Sequence, residues 1–102
     1  MKVFLDDIRD PPNDDWIKVK NVKDAIYYLE NENVEEISLD HDLGDYFETG
    51  YDVLLWIEER VVTKDFVPPK IYTHTDNPPA KKKMKMAIDQ TYKKHQELKN
   101  ED

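Results

Sequence analysis

The sequence predicts one α/β domain built around a parallel sheet, and three observations support this fold class. Short apolar runs alternate with amphipathic segments of helical length, in the order β, β, α, β, α, β, α. Three of the apolar runs are followed directly by an acidic residue or a histidine. This pattern is typical of strands whose ends form a site at the edge of a sheet. The 102 residues suffice for one modest hydrophobic core, so residues 1–102 are predicted to form a single domain.

The first two predicted strands are joined by a connection that contains no helix. Residues Lys2–Leu5 form a short apolar run typical of a central strand, and residues 16–20 alternate in polarity like an edge strand. Between them, Pro11 and Pro12 prevent a continuous helix, and five aspartates over residues 6–15 favour turns. This connection is unusual, because a crossover between parallel strands normally contains a helix.

The following elements alternate regularly. Asn21 is a suitable N-cap for a helix that ends near Asn31, and a strand is predicted over residues 34–39. A loop over residues 43–50, with both glycines of the chain, precedes a helix over residues 51–62. Each helix has its apolar residues on one face, namely Val22, Ala25, Ile26 and Leu29 in the first and Val53, Leu54, Ile57 and Val61 in the second.

A strand over Lys70–Thr73 and a final helix complete the prediction. Asp76 or Asn77 is expected to cap this helix, because the prolines that follow at positions 78 and 79 suit a first helical turn. Its buried face is predicted to consist of Met84, Ala87, Ile88, Thr91 and Tyr92. Trp16 and Trp56 are interpreted as packing residues.

Composition excludes several classes of function. With a net charge of −8, the chain lacks the broad basic surface that binds duplex DNA or an anionic membrane. A small phosphorylated ligand held through a metal is compatible with this charge. The chain has no cysteine, and therefore no disulfide and no thiolate metal site. The longest apolar stretch is far shorter than a membrane span, and the first residues lack a signal-peptide core. The expected location is the cytoplasm.

The candidate site lies where three predicted strands end. Parallel neighbours bring their carboxyl ends to one edge, where several carboxylates would repel one another unless a cation neutralised them. The alternative is that the acidic residues after these strands cap turns and are exposed to solvent. The predicted metal ligands are Asp6, Asp7, Asp40 and Asp42, with Mg²⁺ or Mn²⁺ preferred to Zn²⁺. A turn after Asp40 could instead direct Asp42 towards a histidine, whose ring it would then orient.

Proton transfer and substrate binding are assigned to other residues near the same edge. His41 and His74 have a suitable intrinsic pKa for proton transfer and are the predicted catalytic pair, together with Asp40. Either histidine could instead be a metal ligand, which would favour Mn²⁺ or Zn²⁺, or could simply bond an aspartate. The predicted substrate-binding residues are Arg9, Thr75 and Asn77, and the alternatives are a surface ion pair for the arginine and a plain helix cap for the other two.

Three motifs together resemble a known family. Residues 6–9 (Asp-Asp-Ile-Arg), 39–44 (Leu-Asp-His-Asp-Leu-Gly) and 73–77 (Thr-His-Thr-Asp-Asn) look like those of cyclic-phosphate-processing receiver (cREC) domains, which derive from response-regulator receivers. In the receiver register Asp40 stands at the phosphoacceptor position, and His74 stands where a threonine or serine is usual. The chain departs from ordinary receivers because the fifth strand, the lysine after it and the first helix are missing.

The resemblance implies both a fold and an activity. The implied fold is a receiver-like (flavodoxin-like) three-layer sandwich with about four mostly parallel strands. The implied activity is a metal-dependent phosphoesterase that acts on a cyclic phosphate, either a cyclic nucleotide or a 2′,3′-cyclic phosphate end. The alternative is a non-enzymatic receiver-like module that binds a metal or nucleotide and a protein partner.

Overall fold

The computed structural model describes residues 1–43 and 48–100, and it forms a four-stranded parallel sheet with three helices. The strands are β1 (Lys2–Leu5), β2 (Trp16–Val19), β3 (Glu36–Leu39) and β4 (Lys70–Thr73). The helices are α1 (Val22–Asn31), α2 (Gly50–Lys64) and α3 (Pro78–Lys99). The strand order is β2-β1-β3-β4, and all three neighbouring pairs are parallel.

The seven predicted elements are present in the predicted order, and the receiver-like α/β fold is confirmed. The bounds differ slightly, since β3 begins at Glu36 rather than at residue 34 and α2 extends to Lys64 rather than to residue 62. Asn21 caps α1 as expected, because its side-chain oxygen accepts the amide of Asp24 at 2.8 Å. Gly44, within the predicted loop, lies outside the described residues.

Side-chain hydrogen bonds replace the missing helix between β1 and β2. Oδ1 of Asp6 accepts the backbone amides of Ile8 at 2.9 Å and Arg9 at 2.8 Å. From strand β2, Nζ of Lys18 donates to the carbonyl of Ile8 and to the carboxylate of Asp10 in this loop, both at 3.1 Å. These bonds fold the connection back along the sheet, so that β2 can pair with β1 in parallel.

All three helices pack against one face of the sheet, and together with that face they form a single core. Both crossovers, β2-α1-β3 and β3-α2-β4, run in the same direction along the sheet, so right-handed connections place α1 and α2 on the same side. Helix α3 then packs on α2. The core residues are Val3, Leu5, Val19, Val22, Ala25, Leu29, Ile37, Leu39, Val53, Leu54, Ile57, Val61, Ile71, Met84 and Ile88.

One detail of the expected fold is corrected, because the described residues form two layers rather than three. The alternate strand residues, which include Phe4, Ser38 and Tyr72, lie on the face without helices. The physical reason lies in the connection after β1, where prolines and aspartates form a loop in place of a helix that would have covered this face. We call this side of the sheet the open face. None of the described helices has the length and the apolar character that crossing a membrane requires.

Candidate metal centre and active site

Three of the predicted site residues occupy equivalent positions, each directly after one of three neighbouring strands. The amide of Asp40 donates to the carbonyl of Leu5 at 3.0 Å, and the amide of His74 donates to the carbonyl of Leu39 at 3.1 Å. The strand pairing therefore continues one residue past the ends of β1, β3 and β4. One ligand atom from each of Asp6, Asp40 and His74 lies within 4.8 Å of the others, and we call this group the Asp6–Asp40–His74 cluster.

Asp6 is a buried carboxylate whose two oxygens have different partners. Its Oδ1 accepts the two amides of the following loop, while Oδ2 lies 3.1 Å from Nε2 of His74. Burial raises the pKa of Asp6, but the amide hydrogen bonds from Ile8 and Arg9 and the contact with His74 outweigh this effect. Its pKa therefore lies below the ordinary value, and the side chain is a carboxylate at neutral pH.

The surroundings of Asp40 disfavour the charged form of its side chain. Burial and the nearby Asp6 carboxylate raise the pKa of Asp40 above its ordinary value, and Asp42 adds to the effect. The amide of His41 donates to Oδ1 of Asp40 at 2.9 Å and partly offsets this repulsion. A cation bound between Asp6 and Asp40 would remove the like-charge repulsion.

His74 is held in place through both ring nitrogens and one ring face. Its Nδ1 lies 2.8 Å from Oγ of Ser38, and its ring stacks on Phe4 with centroids 4.2 Å apart and planes 7° from parallel. Burial lowers the pKa of His74 below its ordinary value, although the Asp6 and Asp40 carboxylates oppose the shift, so the ring is neutral at pH 7.

The serine hydroxyl allows this ring to adopt either tautomer. In one, Nε2–H donates to Asp6 and Nδ1 accepts from Ser38. In the other, Nδ1–H donates to Ser38 and the Nε2 lone pair is available to a metal.

Three other predicted residues lie near the cluster but are not members of it. Nδ1 of His41 pairs with Oδ1 of Asp42 at 2.9 Å, and the Asp42 side chain is 65% exposed. Asp7, directly after Asp6, is partly buried. Within the described chain, the residues that bring ligand atoms together are therefore two of the four predicted acids and one of the two predicted histidines.

The predicted substrate-binding residues make structural contacts. Arg9 donates from Nη1 to the carbonyl of His74 at 2.9 Å and from Nη2 to Asp76 at 2.6 Å, which ties the β1–β2 loop to the end of β4. Oγ1 of Thr75 accepts the amide of Asn77 at 3.2 Å. Oδ1 of Asn77 accepts the amide of Ala80 at 3.2 Å, so Asn77 is the N-cap of α3.

Sequence reasoning missed three residues that shape this edge. Phe4 and Ser38 each lie two positions before a cluster residue, so the period of two along a strand was the signal that would have placed them on the same face. Gly50 was noted only as part of a loop. A Cβ at this position would lie 1.8 Å from the carbonyl oxygen of Asp40, so only glycine allows the start of α2 to approach so closely.

Comparison with known proteins identifies the family. Neither the curated proteins nor the solved structures gave a match. A family model described as "Cyclic-phosphate processing Receiver domain" matches residues 1–90. This match includes the entire sheet, helices α1 and α2, the start of α3, and every residue of the cluster. The chain therefore belongs to the family of cyclic-phosphate processing receiver domains.

Proposed function

We propose that this domain is a metal-dependent phosphoesterase that hydrolyses a cyclic phosphate, either a cyclic nucleotide or a 2′,3′-cyclic phosphate end. The supporting observation is the Asp6–Asp40–His74 cluster, which places two mutually repelling carboxylates and a neutral imidazole at the carboxyl ends of adjacent parallel strands. The family description adds the cyclic phosphate as the class of substrate.

The donor set fits a divalent cation. Carboxylate oxygens of Asp6 and Asp40 and Nε2 of His74 would hold the ion, and this oxygen-rich set suits Mg²⁺ or Mn²⁺ better than Zn²⁺. Such an ion, when bound, stabilises charge on a phosphoryl oxygen and lowers the pKa of a water molecule. Ser38 and Phe4 fix the imidazole, and the loop amides fix Asp6, so the ligands are oriented in advance.

His41 is then the residue that moves the proton. Because its Nδ1 faces the Asp42 carboxylate, Nδ1–H is the donor and Nε2 holds the lone pair of a general base. In the hydrolysis, the oxygen of water bonds to phosphorus and one of the two ring P–O ester bonds breaks. The proton taken from water passes through Nε2 of His41 to the leaving alkoxide, and the product is a phosphomonoester.

The test separates metal binding from proton transfer. We expect His74→Ala to lose both turnover and the thermal stabilisation caused by Mn²⁺. We expect His41→Ala to keep the Mn²⁺ effect and to lose about 10²- to 10⁴-fold in kcat, the usual contribution of a general base. His95→Ala, on α3 and outside the cluster, is the matched control and should behave like the wild type.

Two outcomes would contradict the proposal. If the folded wild type hydrolyses no cyclic phosphate with Mg²⁺, Mn²⁺ or Zn²⁺, the domain is a binding module for a metal or nucleotide. If His74→Ala retains the Mn²⁺ effect but loses turnover while His41→Ala is fully active, the proton is moved by His74 and not by His41.

A further inference from the structure

A cavity of about 400 Å³ lies on the open face of the sheet. Its volume falls within the range of small-molecule sites, near the lower end. Four aromatic side chains line it, together with Ser38 and, towards the loop, Arg9. The aromatic residues are Phe4, Trp16, Tyr72 and His74.

The cavity presents ring faces and edges and offers few polar atoms. Trp16 contacts Phe4 edge-on at 6.3 Å between centroids and Tyr72 at 6.5 Å. The hydroxyl of Tyr72 already donates to Glu36 at 3.0 Å, and the hydroxyl of Ser38 is bonded to His74. A ligand in this cavity is therefore recognised by stacking and apolar contact, since these hydroxyl groups have partners within the protein.

The cavity and the metal centre share a wall. Along β1, β3 and β4, the cluster residues follow Phe4, Ser38 and Tyr72 by two positions, so both groups belong to the same face of the sheet. Two residues of a strand span about 6.6 Å, a distance that a sugar can bridge between its phosphate and its base. The His74 ring lines the cavity while its Nε2 faces Asp6.

We propose that this cavity is the nucleobase subsite of the phosphoesterase. This inference rests on the proposed function and specifies its substrate: a nucleoside cyclic phosphate, free or at an RNA end. Its base packs against the Trp16 and Tyr72 rings, stacking on one and meeting the other edge-on, while its phosphate lies at the cluster. Because stacking tolerates every base, all four bases bind with similar affinity, and a ribose cyclic phosphate without a base binds weakly.

The test compares the four nucleoside 2′,3′-cyclic monophosphates with ribose 2,3-cyclic phosphate, which has no base. Both KM with Mn²⁺ and the Kd from calorimetry are measured for each ligand. We expect Trp16→Leu to weaken binding of all four nucleotides by about 5- to 150-fold and to leave kcat and the base-free ligand nearly unchanged. Tyr72→Leu provides a second variant. Trp56→Leu, on α2 against Phe66, is the control.

The outcomes distinguish this inference from the proposed function. If the wild type binds nucleotides and the base-free ligand equally, the subsite is refuted while the phosphoesterase stands. If nothing is hydrolysed but nucleotides still bind more tightly than the base-free ligand in a Trp16-dependent manner, the subsite stands and the enzyme proposal fails. If wild-type protein self-associates in gel filtration and Trp16→Leu abolishes this, a protein surface covers the cavity and the subsite is refuted.

Discussion

At the scale of single residues, the charge of Asp40 is unfavourable in the folded, metal-free protein. Its pKa is higher in the folded chain than in the unfolded one, because of burial and the Asp6 carboxylate. A group with a raised folded pKa contributes stability at low pH and loses it as pH rises through that pKa. At neutral pH, therefore, the charge of Asp40 destabilises the metal-free protein.

Neutralising Asp40 should therefore stabilise the metal-free fold. Asp40→Asn keeps the size of the side chain and an oxygen that can accept the His41 amide, but it removes the repulsion with Asp6. In EDTA we expect the unfolding free energy in urea to rise by an amount on the order of 1 kcal/mol. Adding Mn²⁺ should stabilise the wild type and leave the variant unchanged, because a ligand bound only by the native state stabilises it by mass action.

The matched control for this change is Asp89→Asn, an exposed aspartate on α3. Its unfolding free energy should stay within about 0.5 kcal/mol of the wild type, and its response to Mn²⁺ should be normal. An Asp40→Asn protein that is less stable than the wild type in EDTA would show that this carboxylate makes favourable contacts that outweigh its repulsion.

At the scale of elements, the sequence predicted the order of strands and helices because its local signals agree. Strand periodicity and the Asn21 cap each favour the observed element, and the apolar faces of the helices form the core. The expectation of three layers came from the family resemblance and not from these local signals. The prolines after β1 already excluded a helix there, and in the described residues all three helices pack on one face of the sheet.

The same geometry explains which site residues the sequence could predict. Asp6, Asp40 and His74 come directly after strands that pair in register, so knowing the strands was enough to bring them together. The residues that follow them lie beyond the strand ends, where the chain bends at Asp7 and His41, so the alternation of side chains along a strand no longer specifies their direction. Contacts made after a bend depend on local turns, and strand periodicity does not specify these.

The cap of α3 can be tested for a second role in binding substrate. If Asn77 acts only as an N-cap, Asn77→Asp and Asn77→Ser keep an acceptor for the Ala80 amide and should preserve both stability and KM. Asn77→Ala should cost about 1 kcal/mol in urea denaturation, with KM unchanged in the folded protein. A large rise in KM for the aspartate variant at full stability would instead show that the side-chain amide donates to the substrate phosphate.

At the scale of the whole molecule, the hydrophobic core and the candidate site lie on opposite faces of the sheet. Parallel sheets are usually covered on both faces, but in the described residues all three helices pack on one. That face contains most of the apolar core, whereas the cluster and the aromatic cavity belong to the other. Substitutions on the open face can therefore change binding while the hydrophobic core is preserved.

The arrangement of charge also argues against use of this fold as a phosphorylation switch. By the family resemblance Asp40 stands at the receiver phosphoacceptor position, but the ionisable side chains that shift its pKa are Asp6, His74 and Asp42, and no lysine is among them. An acyl phosphate formed there would add negative charge beside two carboxylates and would lack a lysine partner. We therefore expect no stable aspartyl phosphate after incubation with acetyl phosphate and Mg²⁺, as measured by intact-protein mass. An adduct that persists in the wild type and disappears in Asp40→Asn would contradict this and favour signalling over hydrolysis.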